Sequence, residues 1–253
     1  MHILKQLRMK KGRDETGLFV VEGEKFVREI PVGWEVVRYV FSQGFVDGAA
    51  AQPERAAFIA RCRGVAAVEI LRDSVFASYV DTLTPQGVAA ICRQRRWSRD
   101  GLWGQTLLLC ESLQDPGNVG TLIRTAAAAG VSGVMLTAGS ADVYSAKVQR
   151  AAAGAALRLP VIGDVVLEEV LAEVKARGMS VYAAHPHGGV APYALDMRGA
   201  FCLLIGNEAH GLSDEALRHA DAKVCLPMAN ATESLNAAAA GSILLYEAVR
   251  QRG

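Results

Sequence analysis

From about Leu102 onward the chain alternates between short continuous apolar runs and longer amphipathic stretches. The continuous runs are Thr106–Cys110, Gly133–Leu136, Leu157–Ile162, Met179–Ala184, Phe201–Ile205 and Lys223–Leu226. Runs of that length without polar alternation predict strands buried on both faces. Between them the pattern predicts helices over Thr121–Ala129, stopped by Gly130, and over Leu167–Arg177. Ser213 suits the cap of a short helix reaching His219, and a last helix runs from about Leu235 to Arg250. Strands separated by helices imply a parallel sheet with helices on its two faces.

The pattern before Leu102 is different. Strand-like runs occur at Gly17–Glu22, Val36–Phe41, Val68–Leu71 and Gly87–Cys92, with helical stretches near Glu24–Ile30 and Pro53–Arg63. This mixture predicts a small α/β layer domain. Arg93–Gly101 is polar and basic with one tryptophan, and reads as a linker. The expected organisation is therefore α/β throughout: residues 1–93, a linker at 94–101, and a parallel-sheet domain over 102–253. A basic run of this kind is more often a solvated surface than a binding patch.

Composition narrows the class. Of 253 residues, 51% are hydrophobic and 21% charged, which excludes a disordered chain. The net charge of +1 announces no nucleic-acid partner for the molecule as a whole. Locally, residues 1–13 hold Lys5, Arg8, Lys10, Lys11 and Arg13 with no acid. No apolar run has the length of a membrane span, and Met1–Lys5 lacks the apolar core of a secretory signal, so a cytoplasmic location is expected. The five cysteines have no CxxC spacing, which argues against a disulfide framework or a zinc site. Cys110, Cys202 and Cys225 lie in apolar runs and read as reduced packing residues. His185-Pro-His187 is the one close histidine pair and reads as a turn rather than a ligand pair, so no metal is expected.

Ligands of parallel sheets bind at the carboxyl ends of strands, and three such ends here are unusual. The first is Glu111-Ser-Leu-Gln-Asp-Pro-Gly-Asn-Val-Gly-Thr-Leu-Ile-Arg124. Asp115-Pro-Gly is turn chemistry, Asn118 sits where a helix cap is expected, and Arg124 falls about two turns further on. The second is Ile205-Gly-Asn-Glu-Ala-His-Gly211, small and polar with the carboxylate of Glu208. The third is Leu226-Pro-Met-Ala-Asn-Ala-Thr-Glu-Ser-Leu-Asn236, in which Ser234 suits a helix cap. The alanines that follow, Ala237–Ala240, predict close approach by another backbone. Singly, each feature has an ordinary structural explanation: a cap, a surface arginine, a turn.

In this order and together, the three segments resemble the SpoU–TrmH superfamily of RNA ribose 2′-O-methyltransferases. Gln149-Arg-Ala-Ala-Ala-Gly154 and Leu159-Pro160 extend the likeness, and Lys10–Glu24 with Thr84–Ala89 is similar to the family's accessory substrate-binding domain. Ala229–Glu233 departs from the family's usual run before Ser-Leu-Asn. The resemblance implies a trefoil-knotted C-terminal domain, a homodimer, and RNA as partner. The five basic residues of the opening stretch, with the linker arginines, would then suit a face for RNA phosphates. The resemblance also implies S-adenosylmethionine as cofactor, held at Thr137, Gly206, Leu226, Met228 and Leu235. It gives Arg124 the central catalytic place, with Asn118, Glu208, Ser234 and Asn236 orienting it and the ribose. The family assigns Arg124 the base role, but arginine almost never deprotonates, so gripping a phosphate or stabilising the incipient alkoxide suits its guanidinium better. Ribosomal RNA is the expected substrate. Transfer RNA, or an inactive RNA-binding relative, is the alternative within the family, and a nucleotide-dependent oxidoreductase the alternative outside it. The first strand is not followed by Gly-x-Gly-x-x-Gly, which argues against the last.

Overall fold

The apolar runs of the C-terminal part become the strands of one parallel sheet in the computed structural model. It describes all residues except Met1, Asp81, Leu83, Ala231 and Thr232, and leaves out the side chain of His2. Part of the Ala229–Glu233 run that departs from the family pattern therefore lies outside the described residues. The chain divides into two compact units, one of residues up to Arg95 with Tyr144–Gln149, the other of Arg96–Val143 with Arg150–Gly253.

The first unit contains α1 (His2–Leu7), α2 (Lys10–Thr16), β1 (Leu18–Glu22), α3 (Glu24–Arg28), β2 (Val36–Ser42), α4 (Gln43–Asp47), α5 (Pro53–Val65), β3 (Ala67–Leu71), α6 (Asp73–Tyr79) and β4 (Val88–Arg93). Its sheet has the order β1-β4-β2-β3. β4 runs antiparallel to β1 and β2, and β3 parallel to β2. The basic opening stretch folds as α1 and α2. Leu4 and Leu7 enter the core with Val40 and Ile91. Arg13 is buried, and its Nη1 donates to the carbonyls of Leu7 (2.7 Å) and Arg8 (3.0 Å). It completes the carbonyl end of α1 and is not part of a basic surface.

The second unit contains β5 (Thr106–Cys110), α7 (Pro116–Ala128), β6 (Gly133–Thr137), β7 (Val161–Val165), α9 (Leu167–Ala176), β8 (Ser180–Ala184), β9 (Phe201–Ile205), α10 (Asp214–His219), β10 (Ala222–Val224) and α11 (Ala237–Arg252); α8 (Ala146–Ala152) lies between β6 and β7 in the chain. The strand order is β10-β8-β9-β5-β6-β7, parallel at every pairing. Every residue of β5, β6 and β9 is buried. Each buried leucine or isoleucine there contributes about 1.5–3 kcal/mol. Cys110 pairs with Ile205 on one side and with Leu136 on the other, so the loops after β5, β9 and β6 leave the sheet side by side.

Several boundaries move from their expected places. β7 begins at Val161 rather than Leu157, because Ala155–Leu157 forms a 3-10 turn and pairing starts where the amide of Val134 meets the carbonyl of Pro160. α7 begins at Pro116 rather than Thr121, since Asp115 caps it and proline suits the first helical position. α11 begins at Ala237, capped by Asn236 rather than Ser234. Cys225 is only half-buried, its thiol donating to the carbonyl of Pro186 at 3.0 Å, whereas Cys110 and Cys202 are buried as expected. In the basic linker stretch Arg93 is ion-paired with Glu35, and Arg99 with Glu169 and Glu173.

The small residues of α11 do admit another helix. A Cβ on Gly241 would stand 2.6 Å from Leu122 Cδ2 and 3.2 Å from Ile205 Cδ1. Beside it the hydroxyls of Thr125 and Ser242 share a 3.0 Å hydrogen bond. At the far end of α11, the Arg252 guanidinium reaches Thr106 Oγ1 (2.8 Å) and the Gly199 carbonyl (3.0 Å), tying the helix to the amino ends of β5 and β9.

Candidate active site

The loop after β9 turns back on itself within a few residues. Asn207 and Gly211 exchange backbone hydrogen bonds, both 2.9 Å, and Asn207 Oδ1 accepts from the amides of Ala209 and His210. This return brings the backbone of Gly211 and Leu212 against Gly206. A Cβ there would lie 2.2 Å from Gly211 C and 2.4 Å from the Leu212 amide nitrogen, so only glycine fits. Asn207 Nδ2 also donates to the Ser112 carbonyl at 2.7 Å, which couples this loop to the one after β5. Glu111 strengthens the coupling by accepting from the Ser213 amide at 2.9 Å.

Glu208 is the hub. Its Oε1 accepts from the Asp115 amide (2.9 Å) and from Asn118 Nδ2 (3.0 Å), and its Oε2 from the Gln114 amide (3.1 Å). Partial burial pushes its carboxyl pKa up, but the hydrogen bonds from Asn118 and from backbone amides outweigh this and hold it below the usual value. Asn118 is free to serve Glu208 because Asp115 is the cap: Asp115 Oδ1 takes the Asn118 amide at 2.8 Å. The other end of the Asn118 side chain, Oδ1, accepts from Asn236 Nδ2 at 2.8 Å. Asn236 Oδ1 in turn accepts from the amides of Ala238 (2.9 Å) and Ala239 (3.2 Å). One relay, Glu208–Asn118–Asn236, thus joins the three segments singled out in the sequence.

Beside the relay lies a cavity of about 580 Å³, within the usual range for a small-molecule site. Of the expected cofactor residues, Gly206, Leu226, Met228 and Leu235 line it, together with Glu208, Ser234 and Asn236. Its remaining wall includes Ile205, Leu244 and the His185-Pro186 corner of the loop after β8. That corner is the turn expected from sequence: His185 Nδ1 lies 2.6 Å from the His187 carbonyl. Among the described residues no group of three or more His, Cys, Asp or Glu could hold a metal.

Three expected site residues stand outside the lining. Thr137 is buried, and its hydroxyl accepts from the Ser112 amide at 2.9 Å, bracing the loop after β5. Asn118 is buried behind Glu208. Arg124 is exposed on α7, with no hydrogen-bond or ion-pair partner among the described residues. Ser234 is exposed at the rim and, among the described residues, also without a hydrogen bond.

Residues 105–246 match the model of the SpoU rRNA Methylase family. The chain belongs to this family. Residues 1–90 match a second model, the MRM3-like substrate binding domain. One relative of this SpoU chain is the 23S rRNA (guanosine(2553)-2'-O)-methyltransferase RlmP of Bacillus subtilis (strain 168), 33% identical over 242 residues that span 96% of this chain and 92% of the relative. Among solved structures, the AdoMet-bound rRNA methyltransferase from Sinorhizobium meliloti superposes with a TM-score of 0.83 at 34% identity, over 98% of this chain and 93% of that one. The SpoU methyltransferase AviRb from Streptomyces viridochromogenes, in complex with AdoMet, gives 0.85 at 28% identity, over 99% and 96%.

The parts of the SpoU site that sequence reasoning missed are the supporting ones. Asp115 as cap, Asn207 as brace and Glu111 as anchor for Ser213 all lie inside the same three segments. Nothing in their spacing separates a residue that faces a ligand from one that fixes its neighbour.

Proposed function

We propose that this SpoU-family protein transfers a methyl group from S-adenosylmethionine to a ribose 2′-hydroxyl of ribosomal RNA. The observation that carries this reading is the Glu208–Asn118–Asn236 relay, which brings the three family segments together beside a cavity of cofactor size. The substrate named for its full-length relative RlmP, 23S rRNA, supports ribosomal RNA over transfer RNA. The cavity suits the cofactor: Leu226, Met228, Leu235 and Ile205 offer apolar surface, and the loop Gly206–Gly211 lines it with backbone and polar side chains. The C-terminal unit carries the family's trefoil knot, residues 1–93 form the substrate-binding part, and 94–101 link it to 102–253. A ribosomal RNA substrate, as named for RlmP, supports a cytoplasmic place of work. Among the described residues no helix is long and apolar enough to cross a membrane.

S-adenosylmethionine supplies a methyl group on a positively charged sulfur, which becomes a neutral thioether when the 2′-oxygen takes the methyl. This chain must place the ribose and ease the loss of its hydroxyl proton, which leaves to water. Arg124, exposed and without an internal partner among the described residues, offers its fork of donors to a phosphate or to the developing alkoxide. Ser234 at the cavity rim hydrogen-bonds the ribose. Glu208, Asn118 and Asn236 act through position: their polar atoms are committed to one another and to backbone amides, which holds α7, and so Arg124, in register with the cavity.

The protein acts as a homodimer. Ile243, Tyr246 and Val249 on α11 are 47%, 51% and 37% exposed, an apolar stripe beside buried Leu244 and Leu245 that a second copy would cover. Incorporation of labelled methyl into ribosomal RNA from cells lacking the protein tests the activity. No incorporation into any ribosomal RNA would defeat the reading. Arg124→Ala should abolish transfer while calorimetric cofactor binding stays near wild type; near-normal turnover in that variant would remove Arg124 from its role.

A further inference from the structure

Within the first unit, three arginines converge on two phenylalanine rings. The Arg28 guanidinium carbon lies 4.1 Å from the Phe58 ring centroid, Arg61 5.5 Å from the same ring, and Arg55 4.3 Å from Phe45. The rings themselves are buried and fixed: Phe45 stacks on Phe41 at 5.6 Å, and Phe58 meets Phe41 edge-on at 6.0 Å. Among the described residues the three guanidiniums pair with one carboxylate. Glu24 accepts from Arg28 Nε at 2.9 Å and lies 3.9 Å from Arg55 Nη2. Arg61 is exposed and has no ion pair among the described residues, and Arg55 Nε is buried without a hydrogen-bond partner. Glu54 is the exposed acid next to Arg55 in α5 and pairs with none of the three.

We propose that Arg28, Arg55 and Arg61, held on Phe45 and Phe58, are the surface by which the N-terminal unit grips the phosphate backbone of RNA. Rings beneath the guanidiniums restrict their motion, so less side-chain freedom is lost when an anion is bound. Planar forks suit phosphate oxygens, and three such charges against one carboxylate leave an excess that phosphates can neutralise. The site is independent of α1 and α2, where Arg13 is buried and Lys10 is paired with Asp14. The inference rests on the reading of the protein as an RNA methyltransferase for its choice of ligand.

The test uses the full chain and a fluorescein-labelled RNA hairpin, with the dissociation constant measured by anisotropy across a salt series. Arg61→Gln, at an exposed position, and the double change Arg55→Gln with Arg61→Gln should weaken binding, the double by on the order of tenfold at low salt. The log–log salt slope should become shallower by about 0.9 for each phosphate no longer neutralised. Arg61→Lys, which retains charge without the fork, should fall between wild type and Arg61→Gln. Unchanged affinity and slope in Arg61→Gln and in a folded double variant, checked by circular dichroism, would overturn the proposal. Calorimetric binding of S-adenosylmethionine should be unchanged in all three. Because binding is read without methyl transfer, an inactive wild-type enzyme would defeat the functional reading yet leave this surface measurable.

Discussion

Asn236 has two separable jobs, and replacing it tests both. In Asn236→Ala the amides of Ala238 and Ala239 lose their acceptor, and Asn118 Oδ1 loses its donor. Loss of an asparagine cap costs about 1 kcal/mol. Loss of one hydrogen bond to a buried amide costs about 1 kcal/mol more. The sum, about 2 kcal/mol, corresponds to a fall in melting temperature of roughly 4–8 °C for a unit of this size. Asn236→Asp separates the jobs. Its carboxylate still caps α11 and favours the positive end of the helix by about 0.3–1 kcal/mol, while the donor to Asn118 is gone. This variant should melt within about 2 °C of wild type. Methyl transfer should nonetheless drop at least as far in Asn236→Asp as in Asn236→Ala, since both cut the relay to Asn118 and Glu208. Thermal unfolding by circular dichroism, paired with labelled methyl incorporation, measures both quantities. Equal melting losses in the two variants would refute the assignment of Asn236 as cap. Full activity in Asn236→Asp would refute the relay as a positioning device.

Two further outcomes follow from the same loops. Gly206→Ala places a methyl group where the Gly211 and Leu212 backbone already stands, so the turn must shift; a stability loss of about 1–3 kcal/mol and weaker calorimetric binding of S-adenosylmethionine are expected. Glu208 has a folded pKa below its ordinary 4.5, so its contribution to stability is fully present above that value and is lost as pH falls through the lower folded one. The stability gap between wild type and Glu208→Gln, measured by urea unfolding, should therefore be flat around neutrality and close below about pH 4.5; a gap that widens in acid would contradict the hydrogen bonds assigned to this carboxylate.

The strands were legible because continuous apolar runs admit few other readings: β5, β6 and β9 fall where Thr106–Cys110, Gly133–Leu136 and Phe201–Ile205 predict them, with β6 one residue longer. Helix starts were less legible. Asp115 and Asn118 are both good caps three residues apart, as are Ser234 and Asn236 two apart, and local preference cannot choose between them. Tertiary demand does: Asn118 is needed by Glu208, ninety positions away in sequence. For the same reason the hydrogen bond by which Thr137, expected at the cofactor, also braces Ser112 was not legible. Arg13 looked like one more basic residue in a basic stretch, and only the folded path of α1 shows that its donors meet carbonyls. The three site segments themselves were visible, because their unusual residues are clustered in sequence as well as in space.

The contact between Gly206 and the returning backbone of Gly211–Leu212 also has an evolutionary meaning. Any side chain at 206 collides with main chain, which no substitution at 211 or 212 can trim away. Drift at this position is therefore closed to single replacements and open only to lineages that first lengthen or re-route the turn. Sequences that share the turn's length should hold glycine at 206 whatever RNA they modify, whereas those that have lost it should carry an insertion or deletion between 207 and 212.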